Sequence, residues 1–271
     1  MVKLSVIVVN WNKKDLLRNC LASVYRYPPK EDFEVIVVDN ASTDGSRDMV
    51  RSEFLSVRLV ENEKNVGFSK ANNQAIELAD GEYVLLLNSD AEVLEGSIQA
   101  LCAFLDHHED VAIVGCKLVN AESVPEESCG RIPGFSAVIA TKLRRAGIML
   151  RFLNRLSSHV LPQDITDVDW VTGACLLARR EHLLTVGGFD EGFFMYFEDI
   201  DLCYRVKKLG RVVFFPGTEV LHKKGGSSTN ASNSIYRQSQ IYFFEKHFGV
   251  FKTVALRMLL SLYNRQPFRV H

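Results

Sequence analysis

Tyr83-Val84-Leu85-Leu86-Leu87-Asn88-Ser89-Asp90-Ala91-Glu92 is an apolar run that stops abruptly in polar residues and reaches a carboxylate at Asp90. The aliphatic stretch Val84 to Leu87 has no polar alternation, which is the pattern of a strand covered on both faces, as in a parallel or mixed sheet. Sheets of that kind hold ligands outside the carboxyl ends of their strands. Asn88 and Asp90 therefore fall where chemistry is expected, although a polar turn leaving a core strand has the same composition.

The chain on either side repeats this pattern. Leu4 to Val9 is a second aliphatic run and ends at Asn10-Trp11-Asn12. Phe33 to Val38 is a third and runs into Asp39-Asn40-Ala41-Ser42. Between them Leu16, Leu17, Cys20, Leu21 and Val24 recur at helical spacing over Lys13 to Arg26, and Pro28-Pro29 bars further helix. Further helices are expected at Ser46–Glu53, after Ser69 (as its cap) and at Ser97–Asp106. Further strands are expected at Val57–Val60 and Val111–Cys116. Strands alternating with helices predict βαβ units in an α/β fold with a mostly parallel sheet. No GxGxxG follows the first run, which removes the usual dinucleotide fingerprint. Asp39 suits a hydrogen bond to a nucleobase or ribose, and equally suits a helix cap or turn. Gly67 in Asn65-Val66-Gly67-Phe68-Ser69-Lys70 can take positive φ or let a ligand approach the backbone.

Composition narrows the class. With 271 residues, 47% hydrophobic and 24% charged, the chain reads as an ordinary globular protein. A net charge of −1 gives no reason to expect a nucleic-acid partner. Six scattered cysteines without a CxxC pair suit reduced thiols in a cytosol better than disulfides or zinc. The N-terminus is too quickly polar for a signal peptide, and no apolar run nears the ~20 residues of a spanning helix. A cytoplasmic protein is expected.

In the second half, Arg131 to Gln163 carries five arginines, one lysine and no acid. Such a segment can cover a diphosphate, touch a membrane surface or form a solvated helix. Trp170 stands at the mouth of a turn leading into a strand ending near Ala178, where it can stack on a sugar face or simply be half-buried. A short helix is expected at Arg179–Val186. Phe193-Phe194-Met195-Tyr196-Phe197-Glu198-Asp199-Ile200-Asp201 then leads from aromatics into three carboxylates opening a helix that Gly210 closes. Acids favour a helix N-terminus, yet three exceed what capping needs. Val212–Phe215 and Val220–His222 read as strand pieces. Beyond Ser232 the pattern is helical, with an apolar stripe through Phe251, Val254, Met258 and Leu262. That tail can pack on its own domain, pair with another copy or lie on a membrane.

SVIVVNWN, VVDNASTDGS, NVGFSKANNQAI and LLLNSDAEV, in this order, resemble the family 2 glycosyltransferases, above all the bacterial rhamnosyltransferase-like members that build surface polysaccharides. The resemblance extends to about His222. It implies a GT-A fold: a Rossmann-like mixed, mostly parallel sheet flanked by helices, here over 1–231 with 131–163 as a basic insertion, followed by a helical C-terminal extension over 232–271. It implies a dTDP- or UDP-sugar donor, a saccharide or lipid-linked acceptor, a divalent metal (Mg²⁺ or Mn²⁺) and inversion at the anomeric carbon. By position Asp199 is the general base, with Glu198 and Trp170 on the acceptor side. Val9, Asn10, Asn12, Asp39, Asn65, Gly67, Lys70, Asn88 and Ser89 face the donor, and Asp90 and His222 hold the metal. Lys223, Lys224 and the following glycine-serine loop could contact the diphosphate, and equally have the composition of an ordinary mobile loop. Asn88 departs from the family, which commonly has a second acid there. A nucleotidyltransferase and a non-catalytic sugar-nucleotide binder are the competing readings. The first should show an early glycine- and lysine-rich loop, and the second should lack Glu198-Asp199.

Overall fold

The structure is a computed structural model that describes residues 2–132, 161–223 and 230–263. Most of the basic segment, Lys224 with its glycine-serine loop, and the last eight residues lie outside the described residues.

A ten-stranded sheet organises the molecule. Its leading strands are β1 (Leu4–Asn10), β2 (Phe33–Asp39), β3 (Arg58–Glu61) and β4 (Tyr83–Asn88), in the order β3-β2-β1-β4 and all parallel. Beyond β4 come β11 (Cys175–Arg179), β6 (Val111–Val119), β12 (Arg211–His222) and β5 (Ala91–Val93). β11 runs antiparallel to both β4 and β6, while β6 and β12 pair in parallel. Short strands β7 (Pro125–Glu126) and β9 (Thr166–Asp167) attach to β6 and β12, and β8 (Cys129–Gly130) pairs separately with β10 (Trp170–Val171).

Helices cover both faces, which is why the strands are aliphatic without alternation. Val6 and Val8 of β1, Val35 and Val37 of β2, and Leu85 and Leu87 of β4 share one core cluster with Leu17, Cys20, Leu21 and Val24 of α1 (Lys14–Arg26) and with residues of α4 (Ser97–His107). Ile7, Ile36, Val38, Val84 and Leu86 point the other way. They meet Ala71, Ala75 and Ile76 of α3 (Phe68–Leu78) and Leu202, Cys203 and Val206 of α6 (Glu198–Val206). Each fully buried aliphatic side chain contributes about 1.5–3 kcal/mol. α2 (Ser46–Glu53) and α5 (Arg180–Thr185) complete the flanks. All six cysteines are free and buried, as their apolar neighbours predicted.

Several boundaries depart from the sequence expectations. The third short strand lies at Arg58–Glu61, one residue later than expected. The expected pieces Val212–Phe215 and Val220–His222 are one strand, carried past Pro216 and Gly217 by a register shift between Phe215 and Glu219. Bulges of this kind let a strand absorb proline without losing its pairing. Ser69 does not cap α3. The cap position is Gly67, and Ser69 is buried inside the first turn. The tail is α7 (Asn230–Tyr263), interrupted where Gly249 takes φ 77°. Among the described residues no helix is long and apolar enough to cross a membrane.

Candidate active site

The carboxyl ends of β1, β2 and β4 are brought level by register, Asn10 opposite Asp39 and Val9 opposite Asn88. A cavity of about 670 Å³ opens beside them, within the ~300–1,000 Å³ usual for ligand sites. Val9, Trp11, Lys13, Asn40, Asn65, Asn88, Ser89, Asp90 and His222 line one side. Trp170, Thr172, Gly173, Tyr196, Phe197, Glu198, Asp199 and Tyr236 line the other.

Asp90 occupies the tight connection between β4 and β5, and β12 pairs with β5 so that His222 lies opposite Ala91. That pairing brings residues 132 positions apart in the chain together, His222 Nε2 lying 3.3 Å from Asp90 Oδ1. The other ring nitrogen, Nδ1, lies 2.9 Å from Glu126 Oε2. A carboxylate on the far nitrogen is what orients metal-ligating histidines. Lys13 Nζ donates to Asp90 Oδ2 at 2.6 Å. Burial opposes ionisation of Asp90, but His222 and Lys13 outweigh it and hold its carboxyl well below the usual carboxylate range. For His222, burial pulls the pKa down, and Asp90 and Glu126 together raise it above the ordinary value.

The opposite wall is strained. Tyr196 and Phe197 both have positive φ, 70° and 67°, which for bulky residues costs of order 1–3 kcal/mol each. Packing holds them there. Phe197 is stacked edge-on to Tyr236 and tilted against Phe243, Tyr196 also meets Tyr236, and Ser239 Oγ donates to Met195 O at 2.7 Å. The consequence is that α6 starts abruptly at Glu198 and presents two adjacent acids to the cavity. Asp199 accepts from the Gly173 N–H at 3.1 Å and the Ile200 N–H at 2.8 Å. Burial raises its pKa above the ordinary carboxylate value, these backbone donors pulling the other way. Glu198 is raised well above its ordinary value by burial and by Asp199 beside it, and its buried Oε2 has no hydrogen-bond partner. An unsatisfied buried carboxyl oxygen facing a cavity is a position for a ligand hydroxyl.

Nine of the residues expected at the site line the cavity: Val9, Asn65, Asn88, Ser89, Asp90, Trp170, Glu198, Asp199 and His222. Five do not. Asp39 is buried, and its oxygens accept from Arg47, the Ser42 N–H and Asn10, so it braces the loop after β2. Asn10 is buried behind it, although its Oδ1 lacks a partner. Asn12 takes φ 52° and accepts from the Thr43 N–H. Gly67 is a packing glycine, where a Cβ would come within 2.7 Å of Phe194 O. Lys70 is exposed and pairs with Glu191 at 3.4 Å. Lys223 lies 2.6 Å from Glu92 Oε1 rather than on the cavity wall. Sequence reasoning assigned no role to Trp11, Lys13, Tyr236 or Glu126. Trp11 stood in the quoted Asn-Trp-Asn, and its 53% exposure at a cavity wall is the mark of a stacking surface. Lys13 and Glu126 carried no sequence signal, since only the fold brings them to Asp90 and His222.

A divalent cation can be judged against this donor set. Asp90 and His222 offer one carboxylate and one oriented imidazole, and among the described residues no group of three or more histidine, cysteine or acidic side chains is arranged to hold a metal. The pair fits a cation shared with ligand phosphates, not one held by protein alone.

Known proteins resemble this chain in sequence and in fold. The profile of Glycosyl transferase family 2 matches residues 5–182. The chain is 30% identical over 268 residues to the N-acetylglucosaminyl-diphospho-decaprenol L-rhamnosyltransferase of Mycobacterium tuberculosis, spanning 91% of this chain and 85% of that one. It is 36% identical over 131 residues to the poly(ribitol-phosphate) beta-N-acetylglucosaminyltransferase TarS of Staphylococcus aureus, spanning 46% of this chain and 23% of that one. Among solved structures, GalNAc-T7 with UDP, GalNAc and Mn²⁺ superposes with a TM-score of 0.65 at 17% identity, over 90% of this chain and 50% of that one. S. aureus TarS 1-349 in complex with UDP-GlcNAc superposes with a TM-score of 0.61 at 18% identity, over 90% of this chain and 67% of that one. These likenesses place the fold among GT-A-type structures, and the chain belongs to glycosyl transferase family 2.

Proposed function

We propose that this protein is an inverting, metal-dependent glycosyltransferase that moves rhamnose or a similar sugar from a dTDP- or UDP-sugar to a saccharide or lipid-linked saccharide in bacterial surface polysaccharide synthesis. The observation that carries this reading is one cavity with Asp90, His222 and Lys13 on one wall and the raised carboxyl of Asp199 on the other. The likeness to a rhamnosyltransferase over most of both chains supports the sugar and acceptor classes.

Asp199 takes the proton from the acceptor hydroxyl as its oxygen attacks the anomeric carbon. The bond from that carbon to the diphosphate oxygen breaks on the opposite face, so configuration inverts. A base whose pKa lies above the ordinary carboxylate value is better matched to a hydroxyl proton, and such help is worth ~10²–10⁴-fold. Glu198, whose pKa burial and the adjacent Asp199 raise, lies where it can hydrogen-bond the acceptor and orient it. Trp11 offers a stacking face to the nucleoside, and Asn88 a neutral oxygen and an amide donor to the ribose or to water. Asp90 and His222 would hold Mg²⁺ or Mn²⁺, which when bound offsets charge on the leaving diphosphate. Lys13 adds a further cation there.

A donor panel tests the reading. UDP-, dTDP- and GDP-sugars are incubated with Mn²⁺ and nucleoside diphosphate release is followed, then the anomeric configuration of the product is read by NMR. Release from a UDP- or dTDP-sugar with inversion is expected. Release of sugar 1-phosphate instead would point to nucleotidyl transfer, and binding without turnover to a non-catalytic binder.

A further inference from the structure

We infer that Glu126 is a positioning residue that fixes the orientation and tautomer of His222 for a divalent cation; this rests on the metal-dependent reading proposed above. A hairpin brings Glu126 to its place. The chain turns after β6 at Asn120, whose Oδ1 accepts from the N–H groups of Glu122 at 3.0 Å and Val124 at 2.8 Å, and whose own N–H donates to Val124 O at 3.0 Å. Asparagine side chains that capture backbone donors in this way fix a turn, and the turn sets the register of β7. Glu126 then falls opposite Leu118, and Leu118 falls opposite Val220 on β12. Residues paired across strands share a face, as do residues two apart along one strand. Glu126, Val220 and His222 therefore lie on the same face of the sheet.

The contact that results is specific. His222 Nδ1 lies 2.9 Å from Glu126 Oε2, and the two side chains are only 11% and 12% exposed, so water competes little for the bond. An ionised carboxylate can only accept. The ring proton therefore belongs on Nδ1, and in the neutral imidazole the lone pair is left on Nε2. Nε2 is the atom beside Asp90 Oδ1, at 3.3 Å. Strand pairing with Ala91 holds the backbone of His222, but it leaves the ring able to turn about χ2, a broad torsion in histidine. The hydrogen bond to Glu126 removes that freedom. Glu126 takes no ligand place itself. Glu127 beside it lines the cavity and Glu126 does not, and among the described residues no three histidine, cysteine or acidic side chains are arranged to hold a metal. Its effect on a cation must pass through the imidazole.

Calorimetric titration of Mn²⁺ into the full chain holding UDP or dTDP tests it, with Mn²⁺ titrated into nucleotide alone as the blank. Glu126→Ala should weaken Mn²⁺ binding about 10–100-fold, while nucleotide affinity in EDTA stays at the wild-type value. Glu126→Gln should lose much less, because its amide oxygen still accepts from Nδ1. In a His222→Gln background Glu126→Ala should cost nothing further, since residues acting through one contact are not additive. Mn²⁺ affinity in Glu126→Ala equal to wild type overturns the inference. So does a Gln variant as weak as the Ala variant, or a loss that persists in the His222→Gln background. An equal fall of nucleotide affinity in EDTA also overturns it, by marking a purely structural role. In each of these cases wild type still binds Mn²⁺ and the transferase reading stands. Wild type that takes up no Mn²⁺ beyond the blank removes the metal assignment itself, and this inference with it.

Discussion

Asp90 and His222 illustrate how single residues set the pH response of this protein. The folded pKa of His222 is raised by Asp90 and Glu126 against the opposing effect of burial. Its contribution to stability is therefore full below the unfolded value of about 6.5 and is lost as pH rises through the folded value. The lowered pKa of Asp90 works in the opposite sense, since its contribution is present above about 4 and disappears as pH falls through the folded value. Urea unfolding across pH should thus show a decline on the alkaline side that His222→Gln removes, and an unchanged alkaline limb in that variant would contradict the pairing. Asp90→Ala should abolish the dependence of donor affinity on Mn²⁺, read by titrating donor with and without the ion. The acidic limb of turnover should lie above the ordinary carboxylate range, because burial keeps Asp199 protonated to higher pH. At this scale the sequence was partly legible. Asp90, Asp199 and His222 announced themselves as polar residues at the ends of apolar runs. Asp39 carried the same signal and turned out to brace its own loop with Arg47, because a carboxylate at a strand end looks alike whether it faces a ligand or a guanidinium.

Among the elements, α6 and the loop before it govern the geometry of the acids. Gly67 at the start of α3 takes φ 88° and lets the Phe68 N–H donate to Phe194 O at 2.7 Å, fixing that loop. Gly67→Ala should destabilise the fold by about 1–3 kcal/mol and lower turnover more than donor affinity. A thermal midpoint and kcat equal to wild type would refute the close approach. Asp201, fully buried, is the other anchor. It takes Arg205 Nε at 2.7 Å on its own helix, and His247 Nε2 at 2.7 Å and Lys246 Nζ at 2.8 Å on α7. Asp201→Ala would leave Arg205, Lys246 and His247 around an empty buried position, and a loss of about 3–5 kcal/mol is expected by chemical denaturation. A loss under about 1 kcal/mol would mean the cluster is screened and the tail is held by its aromatics alone. The acidic run was visible in the sequence, but its partition was not. Asp199 faces the cavity and Asp201 the tail because successive helix residues turn about 100° apart, and the partners of Asp201 lie 46 residues away at His247.

For the whole molecule, the aliphatic runs were enough to read a sheet covered on both faces. The direction of β11, antiparallel between β4 and β6, was not readable, since a buried strand has the same composition whichever way it runs. Nor was the long reach of β12, whose proline and glycine read as a break. That one strand carries His222 to Asp90, so the wall they share depends on a strand pairing that local sequence does not encode. If the two walls form one reaction site, wild type and Asp199→Asn should part in turnover and not in binding when compared in the same donor titration and nucleoside diphosphate release assay, with Mn²⁺ and an acceptor present. Donor affinity is expected to be nearly unchanged and turnover lower by about 10²–10⁴-fold. Turnover in Asp199→Asn equal to wild type would contradict a shared site.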